Sequence, residues 1–79
     1  MMNDWIIKNN KLTKEFVFKD FNDSMIFINK IAGKAEMLDH HPKIINIYNK
    51  VIIEIWTYSE NKITKLDYRL KDKIDSIVI

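Results

Sequence analysis

A chain of 79 residues with no break in composition reads as one domain, residues 1–79, near the small end of what builds its own core. Hydrophobic residues make up 47% and charged residues 30%, a globular balance, and the lack of cysteine excludes disulfides and thiolate metal sites. The net charge of +2 rests on lysines interleaved with acids, Arg69 being the only arginine, so no clustered surface for nucleic acid is expected. Apolar runs such as Val51-Ile52-Ile53 are far too short to span a membrane. The start, Met1-Met2-Asn3-Asp4-Trp5, lacks the charged and apolar regions of a signal peptide, and a cytoplasmic location is the expectation.

Trp5-Ile6-Ile7-Lys8 reads as a short strand, and Asn9-Asn10 as a turn, because Asn tolerates left-handed backbone angles. From Lys11 to Phe18 the pattern alternates, with Leu12, Phe16 and Phe18 on one face and Thr13, Glu15 and Val17 on the other. A helix is predicted from Phe21 to Leu38, capped by Asp20 or Asn22, with Phe21, Met25, Ile28, Ala32 and Ala35 as its core stripe. Gly33 inside it costs about 1 kcal/mol relative to Ala, which suggests a close approach to the sheet. Pro42 is expected to stop this helix and to push His41 towards extended angles.

Two further strands are predicted, Ile44–Tyr48 and Lys50–Tyr58, with a turn near Asn49. In the second, Val51, Ile53, Ile55 and Thr57 form the core face, while Ile52, Glu54, Trp56 and Tyr58 share a face left open. Ser59-Glu60-Asn61-Lys62 is a polar loop. Thr64 and Asp67 have the spacing of a capping box, which opens a last helix, Thr64–Val78, with Leu66, Leu70, Ile74 and Ile77 as its stripe. The order ββαββα gives an α+β fold in two layers: a four-stranded antiparallel sheet with both helices on one face.

The chemistry-bearing stretch is Glu36-Met37-Leu38-Asp39-His40-His41-Pro42. Glu36 and His40 are four apart and would share one face of the last helical turn. A carboxylate beside an imidazole fixes its orientation and favours its charged form. Two imidazoles at one turn suit proton transfer near neutral pH. A structural reading stands beside this one, since a histidine at a helix C-terminus interacts favourably with the macrodipole, and Asp67 could do no more than cap a helix. A metal site is disfavoured: there is no HExxH, and no third strong ligand is near the histidines.

This pattern resembles the pterin-4a-carbinolamine dehydratases. Glu36, His40, His41 and Pro42 match that family's motif, Tyr48 follows as its aromatic residue, and Asp67 stands at its final aspartate. The resemblance continues through Phe16-Val17-Phe18-Lys19-Asp20-Phe21 and Tyr48-Asn49-Lys50-Val51, and the family fold is also ββαββα. One position departs, because Tyr58 stands where the family carries histidine or tryptophan. A phenol, with a pKa of about 10, is a poor proton exchanger at neutral pH.

The resemblance implies removal of water from a 4a-hydroxytetrahydropterin to give the quinonoid dihydropterin, a step of tetrahydropterin recycling, with no metal or organic cofactor. It implies His40, His41 and Asp67 as the catalytic residues, with Tyr58 completing the site and Glu36 orienting His40. Glu36, Asp39, Pro42, Trp56 and Tyr58 would surround the pterin. Which histidine is acid and which base stays open. The family also implies a homo-oligomer, dimer or tetramer. The alternative function is a binding module that acts as a dimerisation or assembly partner of another protein; family members serve transcription factors in this way, and the Ile52/Trp56 face offers a surface. A metal-dependent hydrolase ranks last.

Overall fold

The computed structural model describes residues 4–79. Among these, β1 (Ile6–Lys8), β2 (Lys11–Val17), α1 (Phe21–Leu38), β3 (Lys43–Ile47), β4 (Lys50–Ile55) and α2 (Lys65–Asp75) follow in order, and a 3-10 turn (Tyr58–Glu60) precedes α2. The sheet is antiparallel throughout, with strand order β1-β2-β4-β3. The α+β fold read from the sequence is the fold observed.

Each connection has a local cause. Asn9 and Asn10 both take positive φ, 53° and 61°, the conformation that joins two strands through a two-residue turn. At the β3–β4 turn the positive φ falls on Tyr48, at 52°, rather than on Asn49. Asn46 braces that turn by donating from Nδ2 to the carbonyls of Tyr48 and Lys50, at 3.2 and 2.9 Å. Asn49 bonds outside its own turn. Its Nδ2 donates to the Phe18 carbonyl at 2.9 Å, and its own carbonyl accepts from the Phe18 N–H at 2.8 Å. That pair ties the end of β2 to the start of β4.

Asp20 is the cap of α1, its side chain accepting from the Asp23 N–H at 2.8 Å. The buried face of α1 is Ser24, Phe27, Ile31 and Ala35. The stripe expected from the sequence is rotated from this: Ala32 and Phe21 are exposed, and Ala35 is common to both. Ser24 hides the true face in the sequence because its hydroxyl, bonded to the Asp20 carbonyl at 3.2 Å, lets a polar residue sit in the core. Phe27 decides the rotation by packing against Phe16 and Phe18, with ring centroids 4.7 and 4.9 Å apart. Gly33 faces away from the sheet, and a Cβ there would meet no atom within 4 Å, so no close approach explains it.

Register places Leu12 opposite Ile55 and Phe16 opposite Val51, so Leu12, Val51, Ile53 and Ile55 share the face covered by Ile31 of α1 and Leu70 and Ile74 of α2. The Thr64–Asp67 capping box forms and starts α2, but the helix ends at Asp75 rather than Val78. Ser76 stops it, its hydroxyl donating to the Lys73 carbonyl at 2.6 Å. Ile77 still packs against the core.

Candidate active site

The end of α1 sets the site. Asp39 takes left-handed angles, φ 49° and ψ 43°, directly after the helix. The Asp39 N–H donates to the Glu36 carbonyl at 3.2 Å and the His40 N–H to the Ala35 carbonyl at 3.1 Å, the paired bonds of a Schellman motif. The helix is therefore closed before Pro42 is reached. Pro42 follows the stop and does not cause it.

This geometry corrects the expected pairing. His40 lies beyond the left-handed residue, so it does not stack one turn above Glu36. Glu36 instead reaches His41, with Oε2 2.6 Å from Nε2. His40 turns inward, and its Nε2 is 2.5 Å from Oδ1 of Asp67. Glu36 does not orient His40; Asp67 does.

The two pairs differ in surroundings. The His40 and Asp67 side chains are 11% and 0% exposed, against 55% and 75% for His41 and Glu36. A buried carboxylate is costly unless its lone pairs are met by donors. The Asp67 oxygens are both met. Oδ2 accepts from the Thr64 N–H at 2.7 Å and from the Thr57 hydroxyl at 2.8 Å, which leaves Oδ1 for His40. Asp67 is thus both cap of α2 and partner of His40, and the two readings of that residue coexist in one side chain.

A cleft of about 690 Å³ opens at this end of the sheet. Of the residues singled out in the sequence, Asp39, His40, His41, Pro42, Trp56 and Tyr58 line it. Glu36 and Asp67 do not; each stands behind its histidine. Lys43, Thr57, Ser59 and Leu66 also line the cleft and were missed. Thr57 had a usable signal, since it keeps the parity of Val51, Ile53 and Ile55 and so brings a hydroxyl to the core side next to the capping box.

The expected extent of this strand, Lys50–Tyr58, is also corrected, while Trp56 and Tyr58 keep to one side together as expected. β4 stops at Ile55, because Thr57 pairs backbone to backbone with Lys62 (N···O 2.9 and 3.4 Å) and the chain then turns through Tyr58–Glu60. The two rings consequently sit at the end of the sheet, over the cleft, with centroids 5.2 Å apart. Lys11 Nζ lies 4.4 Å from the Trp56 ring centroid and holds that ring by a cation–π contact. Tyr58 is 79% exposed. The cleft so combines aromatic surface with two imidazoles that are each held at Nε2 by a carboxylate. Such a site can bind a flat ring system and move protons at its edge. Among the described residues, no group of three or more His, Asp or Glu is placed to hold a metal ion.

Residues 1–77 match the family model described as pterin 4 alpha carbinolamine dehydratase. A protein of Sulfolobus acidocaldarius that bears this enzyme's name provisionally is 44% identical over 73 residues, 92% of this chain and 80% of that one. A provisionally named relative from Prochlorococcus marinus is 42% identical over 74 residues, 94% of this chain and 78% of that one. The crystal structure of a transcriptional coactivator/pterin dehydratase from Brucella melitensis superposes with a TM-score of 0.83 at 37% identity, covering 92% of this chain and 78% of that one. A pterin dehydratase-like protein identified as a RuBisCO assembly factor in the alpha-carboxysome shares the fold, with a TM-score of 0.75 at 18% identity over 96% of this chain and 88% of that one. The matched span takes in both helices and the whole candidate site, and the chain belongs to the pterin-4a-carbinolamine dehydratase family.

Proposed function

We propose that the chain dehydrates a 4a-hydroxytetrahydropterin to the quinonoid dihydropterin, as a cytoplasmic enzyme of tetrahydropterin recycling. The observation that carries this reading is the placement of His40 and His41 on one cleft, each with Nε2 bonded to its own carboxylate. Each ring then has Nδ1 left for a substrate. In the reaction a pterin ring nitrogen gives up its proton, the bond from C4a to the hydroxyl oxygen breaks, and a C=N bond forms as the hydroxyl takes a proton and departs as water. One imidazole accepts the first proton and the other supplies the second. His40, fixed from behind by Asp67, suits the accepting role; His41, open to solvent, suits delivery to the leaving hydroxyl and exchange with bulk water. The Trp56 and Tyr58 rings, tilted 47° to each other, offer aromatic faces against which the pterin would pack. Asp39 and Pro42 line the cleft beside the histidines.

A second reading is a non-catalytic binding module. Tyr58 favours it, since a phenol replaces the proton-exchanging or indole side chain of the family pattern. The Brucella relative, named as both coactivator and dehydratase, is a precedent for the two roles in one protein. Turnover of synthetic 4a-carbinolamine, with and without a chelator, separates the readings. Chelator-insensitive dehydration above the spontaneous rate is expected. A rate equal to the spontaneous one rejects the enzyme, and a rate abolished by chelator points to a metal-dependent activity instead.

A further inference from the structure

Thr57 occupies a position that the capping of α2 does not require. Thr64 and Asp67 form the capping box by themselves. Yet the Thr57 hydroxyl lies 2.8 Å from Asp67 Oδ2 and 2.7 Å from the Thr64 hydroxyl. A hydroxyl has one proton to give. The Thr57 hydroxyl is much nearer to Asp67 Oδ2 than the Thr64 hydroxyl is, 2.8 against 3.5 Å, which places the Thr57 proton on Asp67; the Thr57 oxygen is then the acceptor for Thr64, and the order runs from Thr64 to Thr57 to Asp67. Oδ2 is then saturated by the Thr64 N–H and by Thr57, and the carboxylate can rotate away from neither without leaving a buried donor unmet. Its other oxygen is pinned against His40.

We propose that Thr57 is a positioning residue that holds His40 in one tautomer, Nε2–H donated to Asp67 and Nδ1 free for the cleft. The inference rests on the proposed dehydratase reading only for its effect on turnover; the tautomer itself is a property of the resting protein. The backbone supports the assignment. Thr57 is locked by the Thr57–Lys62 bridge, whose N–H···O distance from Thr57 is 2.9 Å, and its carbonyl also accepts from the Glu60 N–H at 3.1 Å. The hydroxyl is therefore delivered by a fixed turn, between the two rings that border the cleft. A bond to a buried carboxylate from such a platform orients the carboxylate and not the reverse. Without it, Asp67 keeps the Thr64 N–H, and so keeps its helix cap, but gains freedom to turn Oδ1 off the imidazole.

The test is long-range ¹⁵N–¹H correlation of the two histidine rings in the intact protein, with His41→Ala used to assign His40. Spectra are compared for the parent, Thr57→Val and Thr57→Ser at a pH where the His40 ring is neutral. Parent and Thr57→Ser should show the Nε2–H pattern for His40. Thr57→Val, equal in shape but without the hydroxyl, should show a mixture with Nδ1–H, and turnover lower by about tenfold, a part of the 10²–10⁴ that an acid–base group supplies. Thr57→Ala replaces Val if the Val variant does not fold. An unchanged single tautomer in the hydroxyl-free variant overturns the proposal, as does loss of the Nε2–H pattern in Thr57→Ser. Absence of turnover in the parent protein counts against the dehydratase reading alone, because the tautomer is read without substrate.

Discussion

At the scale of residues, the two histidines carry different structural weight, and their removal should separate chemistry from stability. His41 is half exposed and its partner Glu36 is a surface residue, so His41→Ala should leave the melting curve almost in place. His40 covers a carboxylate with no exposed surface, and His40→Ala leaves one oxygen of Asp67 without its donor. That should cost about 1–3 kcal/mol in urea denaturation. Both substitutions should lower turnover at least tenfold, by the usual weight of an acid–base group. Circular dichroism and turnover measured together check this, and two variants with parental turnover and intact folds would remove the histidines from the mechanism. Tyr58 is the complementary test. It borders the cleft and meets Trp56 in a tilted ring contact without being buried, so replacing it should not disturb the fold. Tyr58→His should raise turnover, by up to about tenfold if histidine restores part of an acid–base contribution. Tyr58→Phe measured beside it isolates the hydroxyl; no gain with His and no loss with Phe places Tyr58 outside the chemistry. Much of this site was legible in the sequence, since the His-His pair, Trp56, Tyr58 and Asp67 were all singled out. The pairing was not. Helical spacing coupled Glu36 to His40, whereas one left-handed residue, Asp39, shifted the register of partners, and such a turn has no reliable sequence mark when the residue is not glycine.

At the scale of elements, periodicity located the strands and helices and the core faces of β2, β4 and α2, but not the face of α1 or the ends of β4 and α2. α1 has the bounds that its pattern predicts, Phe21–Leu38, yet it is rotated because a satisfied serine belongs to its core. β4 and α2 are shorter than their patterns. In each case a side chain or backbone bond outside the pattern ends the element: the Thr57–Lys62 bridge for one and the Ser76 hydroxyl for the other. Hydrophobic patterning reports burial, and burial continues past the last regular turn, as Ile77 shows. Gly33 gives a clean test of the same point. A glycine needed for close packing would resist any side chain, but here a Cβ meets open space and φ is not positive. Gly33→Ala should therefore raise the stability of the chain by about 1 kcal/mol, the difference in helix propensity. Equilibrium unfolding in urea reads it directly, and a loss of stability would mean that the outer face of α1 is covered in solution.

At the scale of the whole molecule, surface left apolar is the feature that calls for a partner. Register puts Ile6, Val17, Ile45, Ile47 and Ile52 on the sheet face opposite the helices. α1 presents Ile26 and Met37 outward, and Val78 and Ile79 are exposed after α2. Among the described residues, β1 and β3 are the edges of the sheet, and an edge strand presents backbone groups that another strand can pair with. A core this small gives limited stability, and association is the economical way to cover such surface. We expect a homo-oligomer, built through a sheet edge or through the outer face of α1. Light scattering at micromolar concentration should give two or four times the chain mass of 9.5 kDa, and a monomer mass there rejects the expectation. Two substitutions locate the contact. Ile47→Lys charges the end of the edge strand β3, while Met37→Lys charges the outer face of α1, and both residues are exposed in the single chain, so neither should disturb its fold. The substitution that lowers the mass names the surface. If it is Met37→Lys, Gly33→Ala should also weaken association, because Gly33 lies one turn away on the same face and would be the point of closest approach between helices. If it is Ile47→Lys, the contact runs along a strand that starts at the cleft, since Lys43 lines the cleft and opens β3, and association would then be felt at the candidate site itself.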